Sequence, residues 1–288
     1  MIFKKNKLKR IVILGSNSFI GKAITKKFHD QNIKAVLITR KNINLEKKNS
    51  IDKLKKVLKK NDIVIFIAAV APVKNIEMLN QNLLICKNII KSLKIRRPNH
   101  LIYISSDAVY SDSKGKINEK SETTPGSLHG FMHLIRETML SELDCLKSFI
   151  RPTLVFGNID PHNGYGPNKF IRCAQNTKEI ILFGKGEEKR DHIHVDNVAE
   201  VVLYTAIKKI GGVINAVSGN VISFNNIAKN LKKIYPNLVI KTLKRKGPMP
   251  HNGYRAFDNK LLKKYFPKLS LIKLSDWIKK KDKYKDII

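Results

Sequence analysis

Short apolar runs alternate along this chain with longer segments in which apolar residues recur every three or four positions. Residues 11–14, 62–69 and 101–104 are runs of the first kind and are rich in β-branched side chains. Such runs are typical of strands that are buried on both faces of a parallel sheet. The segments 51–61 and 222–235 have the spacing of amphipathic helices. This alternation predicts an α/β fold in which helices cover both faces of a parallel sheet.

Glycines bound the turn after the first strand. Residues 11–21 read IVILGSNSFIG, and the next nine residues predict a helix with Ile24 and Phe28 on one face. Backbone N–H groups at the start of such a helix favour a pyrophosphate. A purely structural turn remains an alternative, because glycine turns between strands and helices are common. The candidate cofactor-binding residues here are Gly15, Ser16, Asn17, Ser18, Phe19, Ile20 and Gly21.

The predicted second strand, residues 34–39, ends at Arg40, about twenty residues beyond the glycine turn. A dinucleotide-binding fold contacts the adenosine ribose at this point, and an acidic residue there would repel a 2′-phosphate. Because the strand end is basic, NADP is favoured over NAD. The alternative is that Arg40 is an ordinary surface cation.

Two further strand ends carry candidate residues. The third strand ends in small side chains, Ala68, Ala69 and Val70, which would let a cofactor approach the backbone closely. The fourth strand ends in SSDAVY, residues 105–110. Ligands of open α/β sheets bind at the carboxyl ends of strands, so both segments are well placed for a site.

Composition narrows the classes of function. The chain has 288 residues, 42% of them hydrophobic, and a formal net charge of +33. This length allows a large α/β domain with a smaller one. Lysines occur in almost every segment and no basic–aromatic module is visible, so nucleic-acid binding is not expected. No apolar run reaches the roughly 20 residues of a membrane span. The three cysteines show neither a disulfide nor a zinc spacing, which favours a reducing cytoplasm.

Several blocks, taken together, resemble the extended short-chain dehydrogenase/reductases, which form the NAD-dependent epimerase/dehydratase family. The blocks are DIVIFIAA, NLLICKNII, YISSDAVYS, IRPTLVFG and FGKGEEKRDHIHVDNVAEVV, in the order and spacing of that family over about residues 9–205. Several blocks in register are more specific than any single motif. The glycine turn also resembles the family's G-x-x-G-x-x-G, with Ser18 at the middle position.

The resemblance implies a Rossmann-type doubly wound parallel sheet with a smaller C-terminal α/β substrate domain. The expected division is a NAD(P)-binding domain over residues 1–155, with residues from about 190 to 220 returning to it, and a substrate domain over 156–288. The resemblance also implies a nucleotide-linked sugar as substrate and places Asn82, Ser105, Pro152 and Thr153 near the cofactor. Dimers are common in that family, so the resemblance also implies a homodimer through helices 82–93 and 125–147.

The family's catalytic set is a Ser or Thr, a Tyr, and a Lys four residues after the Tyr. The pattern S-x-x-V-Y gives the first role to Ser106, but His129 and His133 stand at the Tyr and Lys positions. In one interpretation His129 carries the proton, since imidazole titrates near neutral pH, and His133 bonds the ribose hydroxyls. In a second, the site binds nucleotide without catalysis. In a third, the two histidines bind a metal, but no third ligand is evident. Tyr110 is a second candidate phenol.

Asp107 and Ala108 bear on the reaction type. The sugar-nucleotide 4,6-dehydratases that SSDAVY resembles have an Asp and a Glu here as acid and base. Because Ala108 replaces the Glu, water elimination is not expected, whereas epimerisation or ketone reduction remains open. Asp107 is either a substrate contact or a turn residue. The resemblance adds Phe183 and Arg190 as substrate-binding residues, with Arg190 on a nucleotide diphosphate. Lys244, Arg245, Lys246 and Arg255 are expected to be solvated.

Overall fold

The computed structural model describes residues 10–158, 160–161 and 163–281. The strands in this part of the chain are β1 (Ile11–Leu14), β2 (Ala35–Ile38), β3 (Ile63–Phe66), β4 (His100–Ile104), β5 (Leu146–Pro152), β6 (Leu154–Phe156), β7 (Glu179–Phe183), β8 (Lys189–His194), β9 (Gly212–Ala216), β10 (Val221–Ser223), β11 (Val239–Leu243) and β12 (Tyr254–Arg255). The helices are α1 (Phe19–Asp30), α2 (Ser50–Val57), α3 (Ile76–Ile95), α4 (Leu128–Ser141), α5 (Pro167–Gln175), α6 (Val195–Lys208), α7 (Phe224–Ile234), α8 (Lys260–Tyr265) and α9 (Leu274–Lys281).

The chain divides into two compact units. The first contains the described residues up to Ser111, Glu119–Pro152 and Val198–Asn215. The second contains Asp112–Asn118, Thr153–Asn197 and the described residues from Ala216 onward.

The first unit is built on a six-stranded sheet in the order β2-β1-β3-β4-β5-β9. The pairings from β2 to β5 are parallel. Every residue of β1 and β3 is buried, as their β-branched runs predict. On α1, Ile24 and Phe28 are fully buried. The predicted doubly wound parallel sheet is therefore confirmed.

Some predicted helix limits differ from the structure. Helix α2 ends at Val57 instead of residue 61, because the Asp62 carboxylate accepts the Lys59 N–H at 2.8 Å and holds a turn there. Helix α3 begins six residues earlier than predicted, at Ile76, where the side chain of Asn75 caps the Met78 N–H. The helix predicted over 125–147 is α4, which begins only after Ser127 caps the Gly130 N–H and ends at Ser141.

The second unit contains a four-stranded and a two-stranded sheet, both smaller than the sheet of the first unit. Strand β8 pairs with β6, β10 and β12, and β7 pairs in parallel with β11. Its core is a cluster of aromatic and aliphatic side chains from α5, α7 and α9, including Phe170, Phe224 and Trp277.

Candidate functional site

The turn between β1 and α1 requires both of its glycines for steric reasons. Gly15 has a φ of +95°, and a Cβ atom on it would lie 2.7 Å from the backbone nitrogen of Ala68 in the loop after β3. A Cβ on Gly21 would lie 2.3 Å from the carbonyl oxygen of Gly15. The glycines thus let α1 begin directly over the strand ends, with its first-turn N–H groups unused by the helix itself.

Ser18, at the position where the related motif has glycine, caps α1. Its hydroxyl oxygen accepts the Gly21 N–H at 3.1 Å and donates to the Gly15 carbonyl at 2.9 Å. Ser16 is buried against the Ile38 carbonyl, whereas Asn17 and Ser18 are exposed. A serine therefore closes this turn by capping the helix.

A pocket of about 280 Å³ lies at the carboxyl ends of β1, β2 and β3. Seven of the predicted cofactor-binding residues line it, namely Gly15, Asn17, Ser18, Arg40, Ala68, Ala69 and Val70. The structure adds residues that the sequence did not single out, Ile43, Asn44, Leu45, Glu46 and Ile85. The segment 43–46 follows β2 without any recognisable motif, so only the fold reveals that it faces the glycine turn.

Arg40 is largely exposed, and its guanidinium pairs with the Glu46 carboxylate at 3.1 Å. Glu46, which lines the same pocket, therefore partly neutralises the positive charge that the sequence indicates at the end of β2.

Asn82 has no exposed surface. Its side-chain amide bonds the Val70 N–H at 3.0 Å and the Val70 carbonyl at 2.9 Å. It supports the loop after β3 from behind and offers no open polar atom to the pocket.

Arg136 is a fully buried residue that the sequence analysis did not single out. Its guanidinium donates to the Ala68 carbonyl at 3.0 Å and to the Asn82 carbonyl at 2.6 and 3.0 Å. It also lies 5.1 Å from the centre of the Phe66 ring. Arg136 thus ties α4 to both α3 and the loop that lines the pocket.

Helix α4 packs against the segment that follows β4. A Cβ atom on Gly130 would lie 2.0 Å from the Ala108 carbonyl oxygen, so the two backbones are in contact. Ser106 caps the short 3₁₀ helix Asp107–Val109, where its hydroxyl accepts the Ala108 N–H at 3.1 Å. Ser106 and Asp107 are both half-buried, and their side-chain oxygens are 3.5 Å apart. This packing brings the predicted Ser106 region beside the helix of His129 and His133.

The two histidines form an edge-to-face pair with ring centres 4.8 Å apart. His129 is half-buried, and its Nδ1 lies 3.5 Å from the Val73 N–H. His133 is buried, and its Nδ1 is 2.8 Å from the Tyr103 hydroxyl. Burial, with the nearby charges of His129 and Arg136, lowers the pKa of His133 well below 6.5. His133 is therefore neutral at pH 7 and does not supply a positive charge at the Lys position.

Ser105 belongs to a buried polar network. Its hydroxyl donates to Glu137, whose carboxylate also accepts two hydrogen bonds from the Arg151 guanidinium, at 2.5 and 2.9 Å. Arg151 lies 4.7 Å from the centre of the Tyr110 ring, and the Tyr110 hydroxyl donates to Asn215 at 2.8 Å.

Tyr110 was a second candidate phenol, and the structure corrects this expectation. Its side chain is buried within that network, and burial raises the pKa of its hydroxyl. The phenol is committed to Asn215 and does not reach into the site.

Two of the predicted substrate residues, Phe183 and Arg190, lie in the second unit. The Arg190 guanidinium bonds the buried Glu188 carboxylate at 2.6 Å, and Arg245 lies 3.6 Å from the other oxygen of Glu188. The Phe183 ring is exposed and lies 5.1 Å from the Tyr165 ring. Arg245 also donates to the Phe183 carbonyl. It therefore connects the end of β7, at Phe183, with the start of β8, where Arg190 lies.

Two of the four cations that were expected to be solvated are not. Arg245 is mostly buried beside Glu188, and Arg255 is buried with its guanidinium 3.1 Å from Asp112. Each has an acidic partner distant in sequence, which the local composition does not reveal.

Pro152 ends β5, and Thr153 lies beyond it in the second unit. The Thr153 hydroxyl donates to the Asp191 carboxylate, which also accepts the Ser218 and Gly219 N–H groups. Burial raises the pKa of Asp191 to about 6, against the effect of these donors. Thr153 is therefore held in place by a buried carboxylate.

A comparison with known protein families identifies the family of this chain. Residues 11–216 match the model of the NAD dependent epimerase/dehydratase family. The chain belongs to this family. The match spans the glycine turn, Ser106, both histidines and Arg190, so the family resemblance drawn from the sequence blocks is confirmed.

Curated relatives of this epimerase/dehydratase family chain share modest identity with it. A dTDP-D-glucose 4,6-dehydratase from Dictyostelium discoideum is 26% identical over 79% of this chain. The match covers 62% of the length of that protein. A GDP-L-fucose synthase from Escherichia coli K12 is 22% identical, over 68% of each chain.

Solved structures of the family share the fold. A UDP-N-acetylglucosamine 4-epimerase from Methanobrevibacter ruminantium, in complex with UDP-N-acetylmuramic acid, superposes with a TM-score of 0.80 at 21% identity, covering 96% of this chain and 97% of that one. An ADP-L-glycero-D-manno-heptose-6-epimerase from Helicobacter pylori gives 0.81 at 18% identity, covering 97% of each chain.

Two further observations concern the described residues of this family member. None of their helices has the length and apolar character that crossing a membrane demands. No cluster of three or more His, Cys, Asp or Glu side chains suited to a metal ion occurs among them, either at the histidine pair or elsewhere.

Proposed function

We propose that this protein is an NAD(P)-dependent epimerase or keto-sugar reductase that acts on a nucleotide-linked sugar. The observation that carries the proposal is the pocket at the ends of β1, β2 and β3, beneath which Arg136 connects the pocket loop to α4. Family membership supports a nicotinamide dinucleotide as the cofactor, and the related epimerases and fucose synthase support the substrate class.

The residues of the pocket fit a dinucleotide. Gly15 and Gly21 hold the start of α1 over the strand ends, where the first-turn N–H groups that Ser18 does not cap would bind the pyrophosphate. Ala68 and Ala69 present small side chains to the same pocket and would let the cofactor pass close to the backbone. Arg40 would lie at the adenosine ribose and favours NADP, because a guanidinium bonds two phosphate oxygens at once. The cofactor, when bound, supplies or accepts the hydride.

We assign the proton transfer to His129. It is half-buried on α4, whose contact with Ala108 keeps it near Ser106. Its imidazole would take a proton from the sugar hydroxyl that is oxidised, or return one to the oxygen that is reduced. Ser106 would donate a hydrogen bond to that oxygen. His133, neutral and bonded to Tyr103, would orient the His129 ring and border the ribose.

The substrate side of the proposal concerns the second unit, which we infer to correspond to the predicted substrate domain. Arg190 and Phe183 would bind the nucleotide part of the substrate. Asp107 belongs to the first unit and stays a predicted substrate contact. Because Arg190 is bonded to Glu188, a diphosphate would share the guanidinium with that carboxylate. With Ala108 in place of the glutamate that serves as base in the dehydratases, the proposed chemistry is hydride and proton transfer without water elimination. We place the protein in the cytoplasm, with homodimerisation through α3 and α4 as a further expectation.

A catalytically degenerate nucleotide-binding protein of the same fold is the second candidate. The observation in its favour is His133, whose buried neutral ring cannot replace the charge of a lysine.

Purification without added cofactor, followed by denaturation and identification of released nucleotide, tests the proposal. Retained NAD would favour an epimerase, in which the cofactor is regenerated in each cycle. An empty protein that binds NADPH more tightly than NADH would favour a reductase. Binding of neither dinucleotide would refute the oxidoreductase, whereas binding without turnover on any nucleotide-sugar would favour the degenerate protein.

A further inference from the structure

The pocket is lined by an ion pair whose two side chains differ in their exposure to solvent. The Arg40 guanidinium and the Glu46 carboxylate are 3.1 Å apart, with side chains that are 71% and 19% exposed. Both line the pocket together with Gly15 and Ala68.

The peptide group between Leu45 and Glu46 is held at both its N–H and its carbonyl. The Asn44 side chain accepts the Glu46 N–H at 3.1 Å, and the Asn88 amide of α3 donates to the Leu45 carbonyl at 2.9 Å. The Leu45 side chain is buried in the core of the first unit. These contacts hold the backbone of Glu46 at the pocket wall, and its side chain is only 19% exposed there.

Arg40, by contrast, can exchange its partner at little cost. An ion pair with one strongly exposed member contributes little free energy, because solvent screens it and a long side chain must be ordered. A phosphate close to Arg40 would offer its guanidinium a dianion in place of a carboxylate. That exchange would leave the Glu46 carboxylate, on its anchored backbone, near the incoming phosphate, where like charges repel.

We propose that Glu46 is a specificity-determining residue that competes with a 2′-phosphate for Arg40 and so limits the preference for NADP over NAD. This inference rests on the proposed function, since it takes the pocket to be the dinucleotide site. NAD has no 2′-phosphate. Its ribose hydroxyls would donate to the Glu46 carboxylate, and Arg40 would not have to give up Glu46 as its partner. The pocket would then accept both cofactors, with a preference for NADP that is weaker than Arg40 alone would give.

The test compares dissociation constants for NADPH and NADH in the intact protein, by fluorescence titration. Glu46→Gln keeps the shape of the side chain and removes its charge. We expect it to tighten NADPH binding about fivefold and to leave NADH within about twofold. Asp52→Asn is the matched control, because Asp52 is an exposed acid of α2 that pairs with Lys55 and does not line the pocket. The control should leave both constants unchanged.

A double-mutant cycle with Arg40→Gln separates competition for Arg40 from a general charge effect. If Glu46 acts by holding Arg40, the gain for NADPH falls to twofold or less when Arg40 is already Gln. An undiminished gain in that background overturns the inference, and so does unchanged NADPH binding in Glu46→Gln. A wild-type protein that binds neither dinucleotide refutes the proposed function itself, so the two failures are distinguishable.

Discussion

Gly130 of α4 lies against the carbonyl oxygen of Ala108, so closely that a Cβ atom on the glycine would be 2.0 Å from that oxygen. The contact joins the helix of His129 and His133 to the segment of Ser106. Any side chain at position 130 must push these two elements apart, and the candidate catalytic groups would move with them.

Gly130→Ala is therefore expected to affect both stability and turnover. Overpacking of this kind lowers the free energy of unfolding by about 1–3 kcal/mol, and a displacement near 1 Å costs about a hundredfold in turnover. Urea denaturation and steady-state kinetics measure the two effects. Gly126→Ala is the control, because a Cβ there would meet no atom within 4 Å. Equal behaviour of the two variants would show that the contact is unimportant.

His129→Gln removes the group to which we assign proton transfer. We expect kcat to fall about 10²–10⁴-fold, while the dinucleotide dissociation constant and the melting temperature stay close to those of the wild type. His29→Gln, at an exposed position near the end of α1, serves as the control for loss of a histidine. Full turnover by His129→Gln would remove His129 from the mechanism.

Arg136→Met tests the buried connection between α4 and the pocket loop. The change leaves the Ala68 and Asn82 carbonyl oxygens without their donors, so we expect a loss of about 2–4 kcal/mol in the free energy of unfolding. Dinucleotide binding should weaken as well, because Ala68 lines the pocket. Arg97→Met, which removes an exposed ion pair with Asp144, should cost less than about 0.5 kcal/mol. Similar losses in both variants would contradict the assigned role.

Acid should destabilise the protein through its buried histidines. Burial, together with the charge of Lys209, lowers the pKa of His100 to about 4, and burial lowers that of His192 to about 3. Between these values and 6.5 the unfolded chain binds protons that the folded protein does not. The free energy of unfolding therefore falls as the pH decreases through this window, and each such histidine costs about 2 kcal/mol at pH 5 relative to pH 7.

His100→Gln checks this pH dependence. The glutamine can still bond the Ser148 hydroxyl that faces His100 Nε2, but it does not titrate. Chemical denaturation at pH 7 and pH 5 should show a decrease that is smaller by about 2 kcal/mol than in the wild type. An identical decrease in wild type and variant would mean that His100 is protonated equally in both states.

The alternation of buried strands and amphipathic helices could be predicted from the sequence, whereas the catalytic roles of Ser106, His129 and His133 stay predictions. Apolar periodicity and glycine spacing are local properties, and several motif blocks in register identify the family. The limits of α2 and α4 were predicted less well. Apolar periodicity does not show where a helix ends, because a single hydrogen bond, such as that from the Lys59 N–H to Asp62, can end it.

The sequence by itself determined the sheet, the glycine turn and the family, because these follow from residues close together in the chain. Only the tertiary structure decided which polar groups are buried and with what partners. Tyr103 and His133 are 30 residues apart, Tyr110 and Asn215 are 105 apart, and neither pairing leaves a local signal. The same holds for the segment of Glu46, where the Asn88 side chain of α3 donates to the Leu45 carbonyl. Burial raises the pKa of Tyr110 and lowers that of His133, and burial arises from contacts between distant residues.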